Sequence, residues 1–360
     1  MQIYNLEFTE QEIHKAVAAD RLLSMEIEFS RICNFHCSYC YVDEKLECRN
    51  ELSREEIKDA ILQAKELGAR KIIILGGEPS IYPHLVEMLR FLGKEGLRIE
   101  MFTNGTGISR ELADVLVEEK VRIALKMNSR EAQIQDHLAG KNGAFQIINN
   151  ALTTLREVGY PSNDLFLAIS TVICRQNIKE LPALWQWLRE EDIEPFFEVI
   201  TPQANALVNA WLDVNPGELK ELFEQLAAMD QKMFGRSWDP QPPLVGNRCM
   251  RHQVSCLVTA VGEVMPCVGV TIPLDNIRHN TLRHILKNSE VIKNLKNYRK
   301  TIKGQCSRCE KAEECYGCRG AAYQLTGDYL ASDPTCWRNT LSESTRKTVV
   351  PIGRNYTCKI

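Results

Sequence analysis

Between residues 24 and 200 the chain alternates short apolar runs with amphipathic stretches six times, and few folds accommodate that rhythm. "SMEIEFS" (24–30) alternates with period two and reads as a strand; "KIIILGG" (71–77) is apolar on both faces, as a strand buried on both sides is. "LRIEMFTNG" (97–105), "VRIALKMNS" (121–129), "LFLAISTVIC" (165–174) and "IEPFFEVI" (193–200) complete the set, each followed by a helical pattern. Ser53 and Glu56 form a capping box, Asn177 and Glu180 are placed to cap the helix after the fifth strand, and Asn215 with Pro216 opens the helix after the sixth. Six strand–helix units predict a parallel sheet with right-handed crossovers, open or partly barrelled, since a closed eight-fold barrel needs two more. Ligands in such sheets sit at the carboxyl ends of the strands, so the turns there should carry the chemistry.

Two of the strands break the apolar rule. Glu26, Glu28 and Ser30 share one face of the first; Arg122, Lys126 and Asn128 share one face of the fourth. A wet cavity inside the barrel explains this, and so does an edge strand facing solvent. Beyond about residue 236 the pattern changes: "GRSWDPQPPLVGNRCM" is rich in turn residues and marks a boundary, and the remainder is poor in periodic segments. The reading is an N-terminal extension (1–22), a core (23–235), a cysteine-rich domain (236–340) and a tail (341–360).

The chain has 14 cysteines in 360 residues, a formal charge of −3, and no secretory h-region or long apolar run. It therefore reads as cytoplasmic, without a membrane or nucleic-acid partner, and its cysteines as metal ligands rather than disulfides. They are clustered. Cys33, Cys37 and Cys40 follow the first strand; Cys249, Cys256, Cys267, Cys306, Cys309, Cys315, Cys318 and Cys336 fill the last third. Three thiolates on a four-iron cluster leave one iron open, the counterpart of the vacant position of a catalytic zinc. A zinc site completed by His36 or Cys48 is the competing reading. In the C-terminal array a single zinc on "CSRCEKAEECYGC" is the competitor; its five-residue gap is short for a zinc ribbon and four other cysteines stay unexplained.

The C-x3-C-x2-C spacing with Tyr39 before its last cysteine, "GGEP" (76–79) after the second strand and "TNG" (103–105) after the third together resemble the radical S-adenosylmethionine (SAM) superfamily. The resemblance spans about residues 22–200. It implies a partial (β/α)6 TIM-like barrel, with a [4Fe–4S] cluster on Cys33, Cys37 and Cys40 and His36 not a ligand. SAM would chelate the open iron and, on reduction, yield a 5′-deoxyadenosyl radical that abstracts hydrogen. Gly76, Gly77, Glu78 and Pro79 are implied SAM contacts, the glycines admitting close backbone approach; Asn104 joins them. Where many relatives carry a Ser-Leu-Asp-Gly-like segment this chain has Lys126, Met127, Asn128 and Ser129. Lys126, Asn128 and Ser129 are thus candidate SAM or substrate contacts, although Lys126 can equally snorkel to solvent. Glu198 is a further candidate, and Glu26 and Glu28 are candidate general bases, beside Lys126.

The later cysteines resemble the SPASM domain appended to many members, from about residue 246 to 337, "CYGCRGAAYQLTGDYLASDPTC" being similar to pyrroloquinoline-quinone and modified-haem maturases. The resemblance implies two auxiliary [4Fe–4S] clusters, one on Cys249, Cys256, Cys267 and Cys318, the other on Cys306, Cys309, Cys315 and Cys336, and so three clusters in all. Val268 stands where sulfatase maturases carry an aspartate base, which argues against that activity. A leader-peptide module would have to be a separate chain. The implied function is an oxidising enzyme served by a one-electron donor such as flavodoxin or ferredoxin. A peptide or protein is the leading substrate class; dehydrogenation, epimerisation or decarboxylation of a small molecule such as an amino sugar or tetrapyrrole is the alternative, and a pure electron-transfer protein the reading from another class. Cys48, Cys174 and Cys358 have no assignment beyond packing.

Overall fold

A computed structural model describes residues 8–42 and 50–339; Cys48, Cys358 and the proposed tail lie outside them. Six strands, β1 (Ser24–Glu28), β2 (Lys71–Leu75), β3 (Arg98–Thr103), β4 (Arg122–Lys126), β5 (Leu167–Ile173) and β6 (Glu194–Val199), are parallel neighbours in chain order. Between them run α2 (Arg54–Glu66), α3 (Leu85–Lys94), α4 (Arg110–Glu118), α5 (Ala132–Ala139), α6 (Ala144–Glu157) and α7 (Leu181–Glu190); α1 (Glu10–Ala18) precedes the sheet. After β6 come α8 (Asn205–Val208) and α9 (Pro216–Phe234). Strand alternation sorts the side chains into two layers. Met25, Ile27, Ile72, Ile74, Ile99, Met101, Ile123 and Leu125 pack against the helices, while Ala124, Ala168 and Phe196 form a smaller inner cluster with Leu244.

The capping box at Ser53 and the N-cap at Asn215 form as the sequence implies, the latter with Pro216 in the first turn. Asn177 does not cap α7, which begins at Leu181 with no side-chain cap. Its amide instead ties β4 to β5, donating to the carbonyls of Asn128 (2.8 Å) and Val172 (2.9 Å) and accepting from the Cys174 N–H (2.9 Å). Pro182 sets the later start, since proline is favoured in a first turn.

The turn-rich stretch after α9 is built into the sheet. The Val199 N–H donates to Pro243 (2.8 Å) and the Val245 N–H to Phe197 (3.0 Å), which covers the β6 edge. Trp238 donates its indole N–H to Asp230 of α9 (2.9 Å), which also accepts from Trp185 (2.7 Å) and Arg189 (3.0 Å). The chain then crosses α10 (Arg251–Val254) to β7 (Leu257–Val258), which pairs in parallel with β1 at the opposite margin. β8 (Glu263–Met265) and β9 (Asp275–Asn276) extend it antiparallel, giving a nine-stranded sheet in the order β6-β5-β4-β3-β2-β1-β7-β8-β9. Gly262, at φ +85°, makes the β7–β8 turn. Four helices follow: α11 (Leu282–Asn288), α12 (Glu290–Lys296), α13 (Tyr298–Thr301) and α14 (Arg319–Thr326).

The polar strand faces are interior, and much of their charge is paired inside the protein. Glu26 meets Arg251 at 2.6 Å, Glu28 accepts from the Ala260 N–H at 3.0 Å, and Glu100 holds Lys71 (3.1 Å) with Arg122 at 3.5 Å. The edge-strand alternative is excluded for both β1 and β4, each of which has a neighbour on either side.

Candidate functional site

A cavity of about 220 Å³ lies at the carboxyl ends of the core strands. Cys33, Cys37 and Cys40 line it together with Gly76, Gly77, Glu78, Asn104, Lys126 and Glu198. These are nine of the residues singled out from sequence, and they come from the ends of β1, β2, β3, β4 and β6.

The cysteine loop is held from several sides. The Gly77 N–H donates to Ser30 and the Glu78 N–H to Ile32, both at 2.8 Å. A Cβ on Gly77 would stand 2.6 Å from the Arg31 carbonyl oxygen and nearer still to that of Ile32. These glycines therefore let the two loops cross, a nearer reason for them than approach to a ligand. Asn205 and Asn209, beside α8, donate to the carbonyls of Cys37 (3.0 Å) and Ser38 (2.9 Å). Glu78 is turned into the scaffold: its carboxylate accepts from the N–H groups of Ser80 (2.8 Å) and Asn104 (2.6 Å) and from the Thr103 hydroxyl. Burial nonetheless pushes its pKa above the usual carboxylate range. Asn104 reaches Cys33 Sγ at 3.9 Å through Nδ2.

Lys126 Nζ lies 4.0 Å from Glu198, 3.3 Å from the Ser170 hydroxyl and 5.2 Å from the centre of the Tyr39 ring. Burial lowers its pKa, against the pull of Glu198 and of Cys37 and Cys40. The snorkelling alternative does not hold, since the ammonium turns into the cavity. Asn128 and Ser129 are buried behind the wall. Asn128 Nδ2 donates to the Tyr39 hydroxyl at 2.5 Å, and that hydroxyl bonds Cys37. Pro79 is buried too, in the first turn of a short 3-10 helix. Glu26 and Glu28 do not line the cavity, because the C-terminal region occupies them; His36 is exposed and outside it. Cys174 is buried with Leu138 and Leu212, where burial pushes its thiol up to about 11.

Arg251, Gln203, Phe102, Phe196 and Val268 complete the wall without having been singled out as contacts. Arg251 carries no local signal; its partner Glu26 lies more than 200 residues away. Val268 places an apolar side chain in the wall.

The C-terminal cysteines form two groups. Cys306, Cys309, Cys315 and Cys336 line a second cavity of about 770 Å³. Cys318 lies within electrostatic reach of Cys267 and Cys249, and the Tyr316 hydroxyl bonds Cys249. Cys256 feels the charge of Glu26, as Cys267 does, and that of Lys296. Strand alternation at β7 puts Cys256 with Val258 on the core face, where it packs in the main core.

Among the described residues no cysteine is in a disulfide. Burial raises Cys33 to about 11 and Cys267, Cys318 and Cys336 to about 12. Buried thiols of this kind ionise when a metal supplies the countercharge, so soft iron-binding sites fit them. Among the described residues no three His, Cys, Asp or Glu side chains converge as the ligands of one ion do. A four-iron cluster takes one thiolate on each iron, a donor set that these groups of cysteines supply.

Residues 27–188 match the family model of the radical SAM superfamily, and residues 249–310 that of an iron–sulfur cluster-binding domain, SPASM. The chain carries a radical SAM domain followed by a SPASM domain. This radical SAM enzyme is 27% identical to the AdoMet-dependent heme synthase of Methanosarcina barkeri, over 88% of its own length and 96% of that protein. It is also 27% identical to the PqqA peptide cyclase of Bradyrhizobium diazoefficiens, over 89% and 88% of the two chains. Its fold is similar to that of Streptococcus suis SuiB (TM-score 0.68, 17% identity, 92% of this chain and 82% of that one). It is similar also to anSMEcpe with bound AdoMet (TM-score 0.65, 16% identity, 86% and 93%). These two domains make it an iron–sulfur enzyme that binds SAM. Among the described residues no helix is long and apolar enough to cross a membrane.

Proposed function

We propose that this enzyme matures a peptide or protein by oxidation, abstracting hydrogen in the strand-end cavity and passing a second electron to the C-terminal cysteine groups. The observation that carries the reading is the division of the cysteines into one triplet at the cavity and two further groups outside it. A cluster on Cys33, Cys37 and Cys40 with SAM bound supplies, on one-electron reduction, the hydrogen-abstracting radical. Flavodoxin or ferredoxin is the donor class. Gly76, Gly77 and Asn104 position SAM from one side and Lys126 and Glu198 from the other. An oxidation releases a proton as the substrate radical loses its electron, and Glu198, 4.0 Å from Lys126, is the cavity carboxylate placed to take it. Phe102, Phe196 and Val268 exclude water from the reacting carbon.

PqqA peptide cyclase and mycofactocin maturase among the relatives support the substrate class. A second reading, oxidation of a tetrapyrrole carboxylate, is favoured by the match to heme synthase over 88% of this chain and by two cations, Lys126 and Arg251, in the cavity wall. The test is anaerobic reconstitution, then turnover with dithionite and SAM against candidate peptides and iron-coproporphyrin III. Three clusters require about twelve irons per chain. Substrate-dependent 5′-deoxyadenosine with a peptide that loses two mass units, about two hydrogens by redox balance, supports maturation; loss of carboxyl groups from the porphyrin instead would establish the second reading. No deoxyadenosine under either condition would refute hydrogen abstraction.

A further inference from the structure

Asp333 is completely buried and touches both C-terminal cysteine groups. Its carboxylate accepts from the Cys318 N–H at 2.7 Å, and its own N–H donates to Cys306 Sγ at 3.4 Å. Its other oxygen is held by the N–H and hydroxyl of Thr335, at 2.9 and 2.7 Å. Arg319, 1% exposed, approaches the same place from α14. Its guanidinium donates to the carbonyls of Ala331 (2.5 Å) and Tyr329 (3.1 Å), and Nη2 stands 4.0 Å from Cys306 Sγ. A Cβ on Gly317 would contact Arg319 Nη2, Asp333 Cβ and Cys306 Sγ together, at 2.8, 2.9 and 3.3 Å. Two buried opposite charges thus meet where the groups are nearest in sequence, between Cys315 and Cys318.

We propose that Asp333 and Arg319 are positioning residues that set the reduction potentials of the two auxiliary clusters jointly, making electron transfer between them directional. This rests on the reading that both cysteine groups hold clusters. A buried charge acts on a nearby redox centre strongly because little water screens it. The carboxylate opposes an added electron on either side of it; the guanidinium, beside Cys306, favours one on that side. The pair therefore makes the Cys306 group the better acceptor and the Cys318 group the better donor.

The test is an EPR-monitored redox titration of the full chain carrying Cys33→Ala, Cys37→Ala and Cys40→Ala, so that only the auxiliary clusters report. Asp333→Asn should raise both potentials, each by about tenfold in the reduction equilibrium, which is ~59 mV for one electron. Arg319→Gln should lower one signal by a similar amount, and Arg319→Lys should leave both near the parent. If both clusters are loaded and Asp333→Asn moves one signal or neither, joint control is overturned. Should Asp333→Asn fail to hold iron, the arginine variants decide: Arg319→Gln and Arg319→Lys titrating alike overturns the proposal. A parent holding far fewer than ~8 irons would instead sink the two-cluster reading itself.

Discussion

Gly77→Ala is the sharpest test of how the cavity is built. The new methyl would stand 2.6 Å from the Arg31 carbonyl oxygen and closer to that of Ile32. Carbon–oxygen contacts settle near ~3.3–3.6 Å, so the cysteine loop must retreat by about 1 Å. That retreat strains the Glu78 N–H bond to Ile32, now 2.8 Å. Overpacking costs about 1–3 kcal/mol and a weakened hydrogen bond about 1 more, together ~2–4 kcal/mol concentrated beside Cys33. A misplacement of about 1 Å at a reacting centre costs on the order of 100-fold in rate. SAM cleavage, followed as 5′-deoxyadenosine after anaerobic reconstitution, should fall by about that factor, with iron reduced by up to about four per chain. Gly143→Ala is the control: nothing lies within 4 Å of its Cβ, so it bears only backbone strain at φ +79° and should cleave SAM normally. Gly77→Ala working within twofold of the parent and holding full iron would refute the crossing-loop account.

Three other outcomes are expected. Lys126→Met should slow SAM cleavage about tenfold, some 1.4 kcal/mol, and Glu198→Gln should add little on top of it; additive effects in the double variant would show that the pair does not act together. Cys256→Ala should keep its full iron content, whereas Cys318→Ala should lose about four irons; equal losses would return Cys256 to the ligand set. Burial, then the charges of Arg319 and Arg251, hold the His252 pKa down at about 3, so the folded protein keeps it neutral where an unfolded chain, near 6.5, takes up a proton. Stability is then full above about 6.5 and is lost as pH falls, at about 1.4 kcal/mol per unit, or ~2 kcal/mol by pH 5. Denaturation midpoints between pH 7 and 5 should decline less steeply in His252→Gln, and parallel slopes would remove His252 as the cause.

The parallel core was legible because each strand announces itself locally. β2 is an unbroken apolar run after Lys71, β5 is apolar but for Ser170 and Thr171, and the ends of the six strands fall within a few residues of the sequence patterns. α5 was missed since "AQIQDHLA" has a weak apolar stripe of Ile134 and Leu138 between two polar turns. The cysteine triplet and GGEP were legible for the same reason as the strands: short spacing fixes neighbours. What failed was partnership over distance. The sequence shows that Glu26 and Glu28 point inward but not that Arg251 and Ala260 meet them there. The periodicity of two also puts Cys256 on the core face, but only once β7 is known to be a strand. Asn177 misled because an asparagine before a helix resembles a cap, whereas here its amide spans two strands.

The way the sheet is finished has a consequence for how the chain is made. β1 acquires its outer neighbour only from residues 257–258, and β6 from residues 243–245. During synthesis the core strands are therefore ready long before either margin is covered, and unpaired margins invite association with other chains. A nascent chain stalled near residue 240 would hold its cavity triplet yet carry two open flanks. Premature termination there should yield aggregates rather than a smaller working core.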